Sequence, residues 1–154
     1  MGDTMIRDLK VLEPIIERAV VCRIGFCHND VPYVVPMNFG YRDGCVYLHS
    51  SFTGKKIDIL RENKNVCFEV DIDHAIRESE IACKWGMKFR SVIGFGRATL
   101  VEDIPGKIEA LDAIMDHYSN AKPRDYDEKL LDKVAVIKIE LEEVTARLYG
   151  YDEA

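Results

Sequence analysis

Apolar and polar residues in this chain change periodicity several times, and those changes predict its elements. Ile6, Leu9, Leu12 and Ile16 recur at helical spacing, with Asp3 or Thr4 available as an N-cap. Val20 to His28 then reads as a strand closed by the turn pair Asn29-Asp30, and Tyr33 to Tyr41 as a second strand rich in β-branched and aromatic residues. Arg42-Asp43-Gly44 supplies a hairpin turn into a third strand, Cys45 to Ser50. Thr53 can cap a short helix carrying Ile57, Ile59 and Leu60. A fourth strand runs from Asn65 to Asp71, and the polar stretch Ile72 to Lys84 reads as a long excursion. Phe89 to Val101 is a strand interrupted by Gly94 and Gly96, positions that suggest a bend or a close backbone approach. A helix from about Pro105 presents Ile108, Leu111, Ile114, Met115 and Tyr118. Asp125 to Leu131 adds a turn of helix, and Val134 to Leu148 is a last strand. Six mostly antiparallel strands with a few short helices predict a mainly β fold, a barrel with flanking helices.

Composition narrows the functional classes. The 154 residues, 47% of them hydrophobic, suit one domain covering 1–154 with a proper core. A net charge of −6 argues against nucleic-acid binding, which needs a basic face. No apolar run approaches the ~20 residues of a membrane span, and Met1 to Lys10 lacks the hydrophobic segment of a signal peptide. A cytoplasmic protein is expected. The five cysteines form no Cys-x-x-Cys pair and no finger spacing, which predicts reduced thiols and no metal site. No Gly-x-Gly-x-x-Gly follows a strand, so a Rossmann dinucleotide site is not expected.

Two segments carry candidate chemistry. In His49-Ser50-Ser51-Phe52-Thr53-Gly54-Lys55-Lys56 a strand gives way to a hydroxyl-rich turn and a helix with two lysines in its first turn. Cations there oppose the helix dipole by roughly 0.3–1 kcal/mol each, which makes sense if an anion sits over the free N–H groups. Ser50, Thr53, Lys55 and Lys56 would then form a phosphate cradle. On these residues alone, an exposed lysine pair offset by Asp58 and Glu62 is an equal alternative. In Val34-Val35-Pro36-Met37-Asn38-Phe39, Pro36 removes a ladder donor and points to an edge or irregular strand. Asn38 suits the rim of a flat heterocycle, or equally a neighbouring loop.

These segments together resemble the FMN-binding split-barrel family that includes pyridoxamine 5′-phosphate oxidase, and within it the 5-nitroimidazole-resistance branch. The likeness runs through Pro32 to Tyr41, Val46 to Ser50 with Gly54 to Leu60, Asn65 to Asp71, Trp85 and Phe89 to Gly96. It implies a six-stranded antiparallel FMN-binding split barrel. Val35, Pro36, Met37 and Asn38 would pass beside the isoalloxazine and offer backbone groups to its pyrimidine edge. His49 and Ser50 would lie near the ribityl chain and phosphate, Lys55 and Lys56 on the phosphate itself. Ser91 stands where the oxidase has glutamine, and would reach a flavin bound mainly by the partner of a homodimer. The oxidase's C-terminal Arg and His pattern is not visible in Arg147 to Asp152, which argues against vitamin B6 oxidation.

The function so implied is an FMN-dependent oxidoreductase. Electrons would pass from a reduced nicotinamide or ferredoxin-like donor to a small acceptor such as a nitro-aromatic. The alternative is a non-catalytic flavin carrier or sensor, and a third reading keeps the barrel but exchanges FMN for haem or a deazaflavin. His49 is the candidate proton donor, with a structural contact to the phosphate as its alternative. Trp85 and Phe89 could wall a pocket or simply pack. Asp71, Asp73 and His74 resemble a metal triad only superficially, and a solvated strand end fits them better. Tyr149 and Tyr151 could cover a partner's site.

Overall fold

Two residues determine the shape of this molecule. In the computed structural model, which describes residues 5–152, one sheet contains β1 (Cys22–His28), β2 (Val31–Met37), β3 (Gly40–Arg42), β4 (Cys45–Ser50), β5 (Asn65–Arg77), β6 (Gly86–Val101) and β7 (Ala135–Tyr149). The lateral order is β2-β1-β5-β6-β7-β4-β3, and every pairing is antiparallel. The outermost strands, β2 and β3, are therefore consecutive in sequence, joined only by Asn38 and Phe39. Laid flat, seven strands about 4.8 Å apart would put these edges about 29 Å from each other. The link from Met37 to Gly40 spans about 10 Å at most. The sheet must therefore curl into a barrel whose seam lies between β2 and β3.

The sequence places six strands here; the structure has seven, because the expected strand Tyr33–Tyr41 breaks at this crossing. Phe39 is fully buried against Phe68, and its N–H donates to the Tyr118 hydroxyl at 3.1 Å, which donates in turn to the Val20 carbonyl at 2.8 Å. His117 contacts the Phe39 ring and the Ala19 carbonyl, at 2.6 Å from its Nε2. Both partners sit at the end of α3 (Ile104–Tyr118), so one helix terminus holds the crossing in place.

The expected excursion after Asp71 is another difference. β5 and β6 continue past it as a long two-stranded ribbon, with an irregularity between Ile72 and Ala75 and one 3₁₀ turn, Ala82–Lys84, near its tip. Polar residues hide this ribbon from a hydrophobic pattern because its outer part is solvated. Asp73 takes a positive φ of 58° at the irregularity. Its carboxylate accepts from Arg18 and Arg90, which hold it below the usual carboxylate range, Arg18 foremost. Asp71 pairs with Arg23 at 2.6 Å and His74 at 2.5 Å. Asp71 and His74 thus contact each other, while Asp73 is held apart from them by its two arginines.

The core has two parts. Inside the barrel, Ile24, Phe26, Val46, Leu48, Phe68, Val70, Val92 and Ile137 pack with Leu12, Ile15 and Ile16 of α1 (Leu9–Arg18). The α1 cap is Asp8, whose side chain accepts from the Lys10 N–H; Ile6 lies outside the helix and bridges Ala146. The other expected caps, Asp3 and Thr4, lie outside the described residues. On the far side of β4 and β7, Ala110, Ala113 and Ile114 of α3 cover Tyr47 and Val136. A four-residue helix, α4 (Glu128–Leu131), leads into β7. Cys22 is a core thiol whose burial pushes its pKa up to about 12. No helix among the described residues is long and apolar enough to cross a membrane.

Gly40 is where α3 meets the seam. A Cβ at Gly40 would lie 2.4 Å from the Ala113 carbonyl carbon and 2.5 Å from the Ile114 nitrogen, both backbone atoms that cannot rotate aside. Gly40→Ala is expected to destabilise the fold by about 1–3 kcal/mol, the range for overpacking a tight site. Urea denaturation reads this directly, and an unchanged midpoint would contradict the close approach.

Candidate functional site

The site is built at the mouth of the barrel, where β4 ends and the chain turns into α2 (Lys55–Glu62). In β4 the residues Val46 and Leu48 pair with Ile139 and Ile137 in the barrel interior, and Ser50, opposite Ala135, continues that inward row. Its hydroxyl is buried, and among the described residues it is the one buried side-chain polar atom without a hydrogen-bond partner. A buried hydroxyl with no acceptor or donor costs about 1–3 kcal/mol, so a polar ligand group bonding to this atom would relieve that cost.

The turn after Ser50 keeps a helix terminus open. The Ser51 hydroxyl donates to the Thr53 carbonyl at 2.8 Å. Thr53 was the expected helix cap, but Gly54 occupies that position, at φ 120°, with no side chain to accept from the first turn. Gly54 is favoured there because such a φ strains any residue carrying a Cβ. Its carbonyl accepts from the Ile57 and Asp58 N–H groups at 3.0 and 3.1 Å, leaving those of Lys55 and Lys56 without a side-chain cap. An uncapped N-terminus flanked by two lysines suits an anion. The turn is held from below by Lys107 of α3, a buried ammonium 5.0 Å from the Phe52 ring centroid that donates to the Leu131 carbonyl at 2.9 Å. Sequence reasoning missed this lysine, because nothing local marks it as buried.

Other predicted residues divide into those the fold brings to this mouth and those it does not. Lys55 Nζ lies 4.4 Å from the centroid of the Tyr33 ring on β2, which sets the start of α2 beside the edge strand carrying Val35, Pro36 and Met37. Val35 and Met37 turn inward against the core, while Pro36 is exposed. Pro36 thus sits on an edge strand, as its missing N–H requires. Asn38 is exposed on the crossing itself, just beyond β2. His49 is exposed and pairs with Val136, on the opposite face of β4 from Ser50.

Ser91 is remote. Ser50 pairs with Ala135 and Ser91 with Arg147, both on β7, so about 40 Å of extended strand separates them at ~3.3 Å per residue. One small ligand cannot touch both within one protomer. Ser91 lies instead on the outer sheet face, in line with Ile93 and Phe95 of β6; Val34 of β2 is on the same face, three strands from Phe95 across Cys67 and Gly25. These three apolar residues are 41%, 54% and 61% exposed. Among them lies Glu69, whose carboxyl is raised above its ordinary range by burial and by the Asp71 charge, against the pull of Arg23.

This mouth, with its open helix terminus and orphaned hydroxyl, has relatives. Residues 9–148 match the model of the family described as pyridoxamine 5′-phosphate oxidase. The chain belongs to the pyridoxamine 5′-phosphate oxidase family. A solved structure of a candidate 5-nitroimidazole antibiotic resistance protein from Bacteroides thetaiotaomicron is 34% identical, covering 95% of this chain and 87% of that one, with a TM-score of 0.84. Two more distant structures share the fold. They are flavocytochrome Anf3 from Azotobacter vinelandii (24% identity, 97% and 71% coverage, TM-score 0.84) and a FAD and heme binding protein from Mycobacterium smegmatis (16%, 97% and 76%, 0.86). A search of curated proteins found no match. The barrel mouth here fits a phosphate: an unpartnered hydroxyl, uncapped N–H groups and two ammonium groups.

Ser50→Ala separates a ligand contact from a structural hydroxyl. Removing an unpartnered buried polar atom is expected to leave the stability of the ligand-free protein unchanged or slightly raised. Affinity for an anion at the mouth, with inorganic phosphate as the probe, is expected to fall about tenfold, the effect of one lost hydrogen bond to a charged acceptor. Calorimetric titration and thermal melts of the same preparation check both, and a large loss of ligand-free stability would make Ser50 structural.

Proposed function

We propose that this protein is an FMN-dependent oxidoreductase that works as a homodimer and reduces a small acceptor such as a nitro-aromatic. The observation that carries the reading is the orphaned Ser50 hydroxyl beside the uncapped start of α2. The 34% identity with the Bacteroides protein supports the acceptor class.

A bound flavin would supply the electron transfer, from a reduced nicotinamide or ferredoxin-like donor to the acceptor. The chain's own residues do the rest. Ser50, Lys55 and Lys56, with the first-turn N–H groups, hold the phosphate. The edge of β2 from Val35 to Asn38 presents backbone groups to the flat ring, because an edge strand has one side without a ladder partner. His49, exposed at the end of β4 on the face opposite Ser50, is the candidate proton donor for a reduction that consumes protons as well as electrons, acting from outside the phosphate cradle.

The placement of Ser91 supports a homodimer. A residue some 40 Å of strand away from Ser50 can serve the same flavin only from a second copy. The exposed apolar face around Ile93, Phe95 and Val34 is the surface such a copy would cover, and two-fold pairing lets each protomer complete the other's site. In the dimer Ser91 of one protomer approaches the flavin of its partner.

Two variants test the reading. Replacing both Lys55 and Lys56 with Gln is expected to weaken FMN at least tenfold while riboflavin, which has no phosphate, is scarcely affected; a charge-assisted contact contributes roughly 1.5–3 kcal/mol. Equal losses for both ligands would rule out a phosphate contact. His49→Ala is expected to leave FMN affinity intact and lower turnover of a nitro-aromatic about 10²–10⁴-fold at full flavin occupancy. Undiminished turnover would remove His49 from the chemistry, and no turnover in the unmodified protein with any reduced donor would favour the carrier reading.

A further inference from the structure

Lys107 is the one buried charged residue among the described residues, 4% exposed. Lysines are seldom buried to this degree without a carboxylate partner, and Lys107 forms no ion pair with any described residue. Its ammonium donates instead to a neutral acceptor, the Leu131 carbonyl, and lies against the Phe52 ring. Asp103, four residues earlier, has the helical spacing to pair with it. That carboxylate is used elsewhere: Asp103 is the N-cap of α3 and accepts from the Gly106 N–H at 2.8 Å.

The charge also stands at the unfavourable end of its helix. Lys107 lies in the first turn of α3, where free N–H groups carry partial positive charge and a further cation is disfavoured. Burial, the lack of a counter-ion and helix polarity all raise the cost of a charge here. In the ligand-free chain one carbonyl and one ring face are set against that cost.

Both contacts come from chain leaving one strand pair, Ser50 of β4 with Ala135 of β7. Phe52 follows Ser50 by two residues, and Leu131 precedes Ala135 by four. The Leu131 carbonyl also accepts from the Val134 N–H at 3.2 Å, next to the start of β7. The ammonium is therefore set behind the turn that carries Ser50 and Gly54, between that turn and β7. Two residues of chain span about 7 Å at most. With the 5.0 Å ring contact added, the charge lies on the order of 15 Å from the unpartnered Ser50 hydroxyl.

We propose that Lys107 is a positioning residue for the anion site. Its buried ammonium is the fixed counter-charge of the anion at the barrel mouth, acting through space and through the Phe52 turn without touching the ligand. A buried charge is screened much less than an exposed one, so Lys107 adds an attraction that the solvent-facing Lys55 cannot supply. The bound anion in turn provides the negative charge that Lys107 otherwise lacks. This inference rests on the reading of the mouth as a phosphate site.

Two variants separate charge from shape. Lys107→Met keeps the length of the apolar stem and removes the charge; Lys107→Gln removes the charge and keeps an N–H donor for the Leu131 carbonyl. Each is titrated calorimetrically with FMN, riboflavin and inorganic phosphate, and melted without ligand. Both variants are expected to bind FMN and phosphate about fivefold more weakly, the size of a partly screened charge interaction over this distance. Riboflavin, which has no phosphate, is expected to bind unchanged. The ligand-free melting temperature is expected to hold or rise, because an unpaired buried charge has been removed. A lysine that only shapes the turn gives another pattern: a lower ligand-free melting temperature, or FMN affinity fully kept in Lys107→Gln. Either result, or unchanged FMN and phosphate affinity in both variants, overturns the inference and leaves the mouth as a phosphate site. If the unmodified protein binds neither FMN nor phosphate, the flavin reading fails with it.

Discussion

The two-residue crossing at Asn38–Phe39 is the constraint from which the rest of the structure follows. Because consecutive strands occupy opposite edges of one sheet, the sheet must close, and closure brings β2 alongside the start of α2. A flat sheet of the same strands would leave Tyr33 and Lys55 far apart, with no seam and no mouth. The crossing is itself secured by buried Phe39, by the Tyr118 hydroxyl linking Phe39 to Val20, and by the contact of α3 with Gly40. The hydrophobic interior thus positions the polar site at its rim.

Much of this was legible in the sequence. The alternation through Cys22–His28, Cys45–Ser50 and the long C-terminal strand marks half-buried strands directly, and Asn29-Asp30 and Asp43-Gly44 mark tight hairpins. The break between β2 and β3 was not legible, because Tyr33 to Tyr41 is apolar or aromatic except at Asn38 and Gly40, and Pro36 points to an irregular strand without locating the crossing. Nor was the outer β5–β6 ribbon, where ion pairs such as Asp73 with Arg18 and Arg90 replace apolar contacts.

The candidate site shows the same division. Its lysine pair and Ser50 lie in one continuous segment, so their chemistry could be read from spacing, although whether they face an anion could not. The structure adds what spacing lacks: Ser50 turns inward without a partner, Gly54 leaves the helix uncapped, and Lys107 supports the turn from a distant helix. The register along β7 also puts Ser91 out of reach of its own mouth, a separation that no linear reading supplies.

We propose that this barrel mouth holds a flavin by its phosphate. The most direct measurement is the identity of the chromophore that copurifies with the protein, by absorbance of the native form and mass spectrometry after denaturation. The account predicts the two visible bands of oxidised flavin and release of a phosphorylated flavin in stoichiometric amount. A Soret band, release of unphosphorylated riboflavin, or a colourless protein that takes up no added flavin would contradict it.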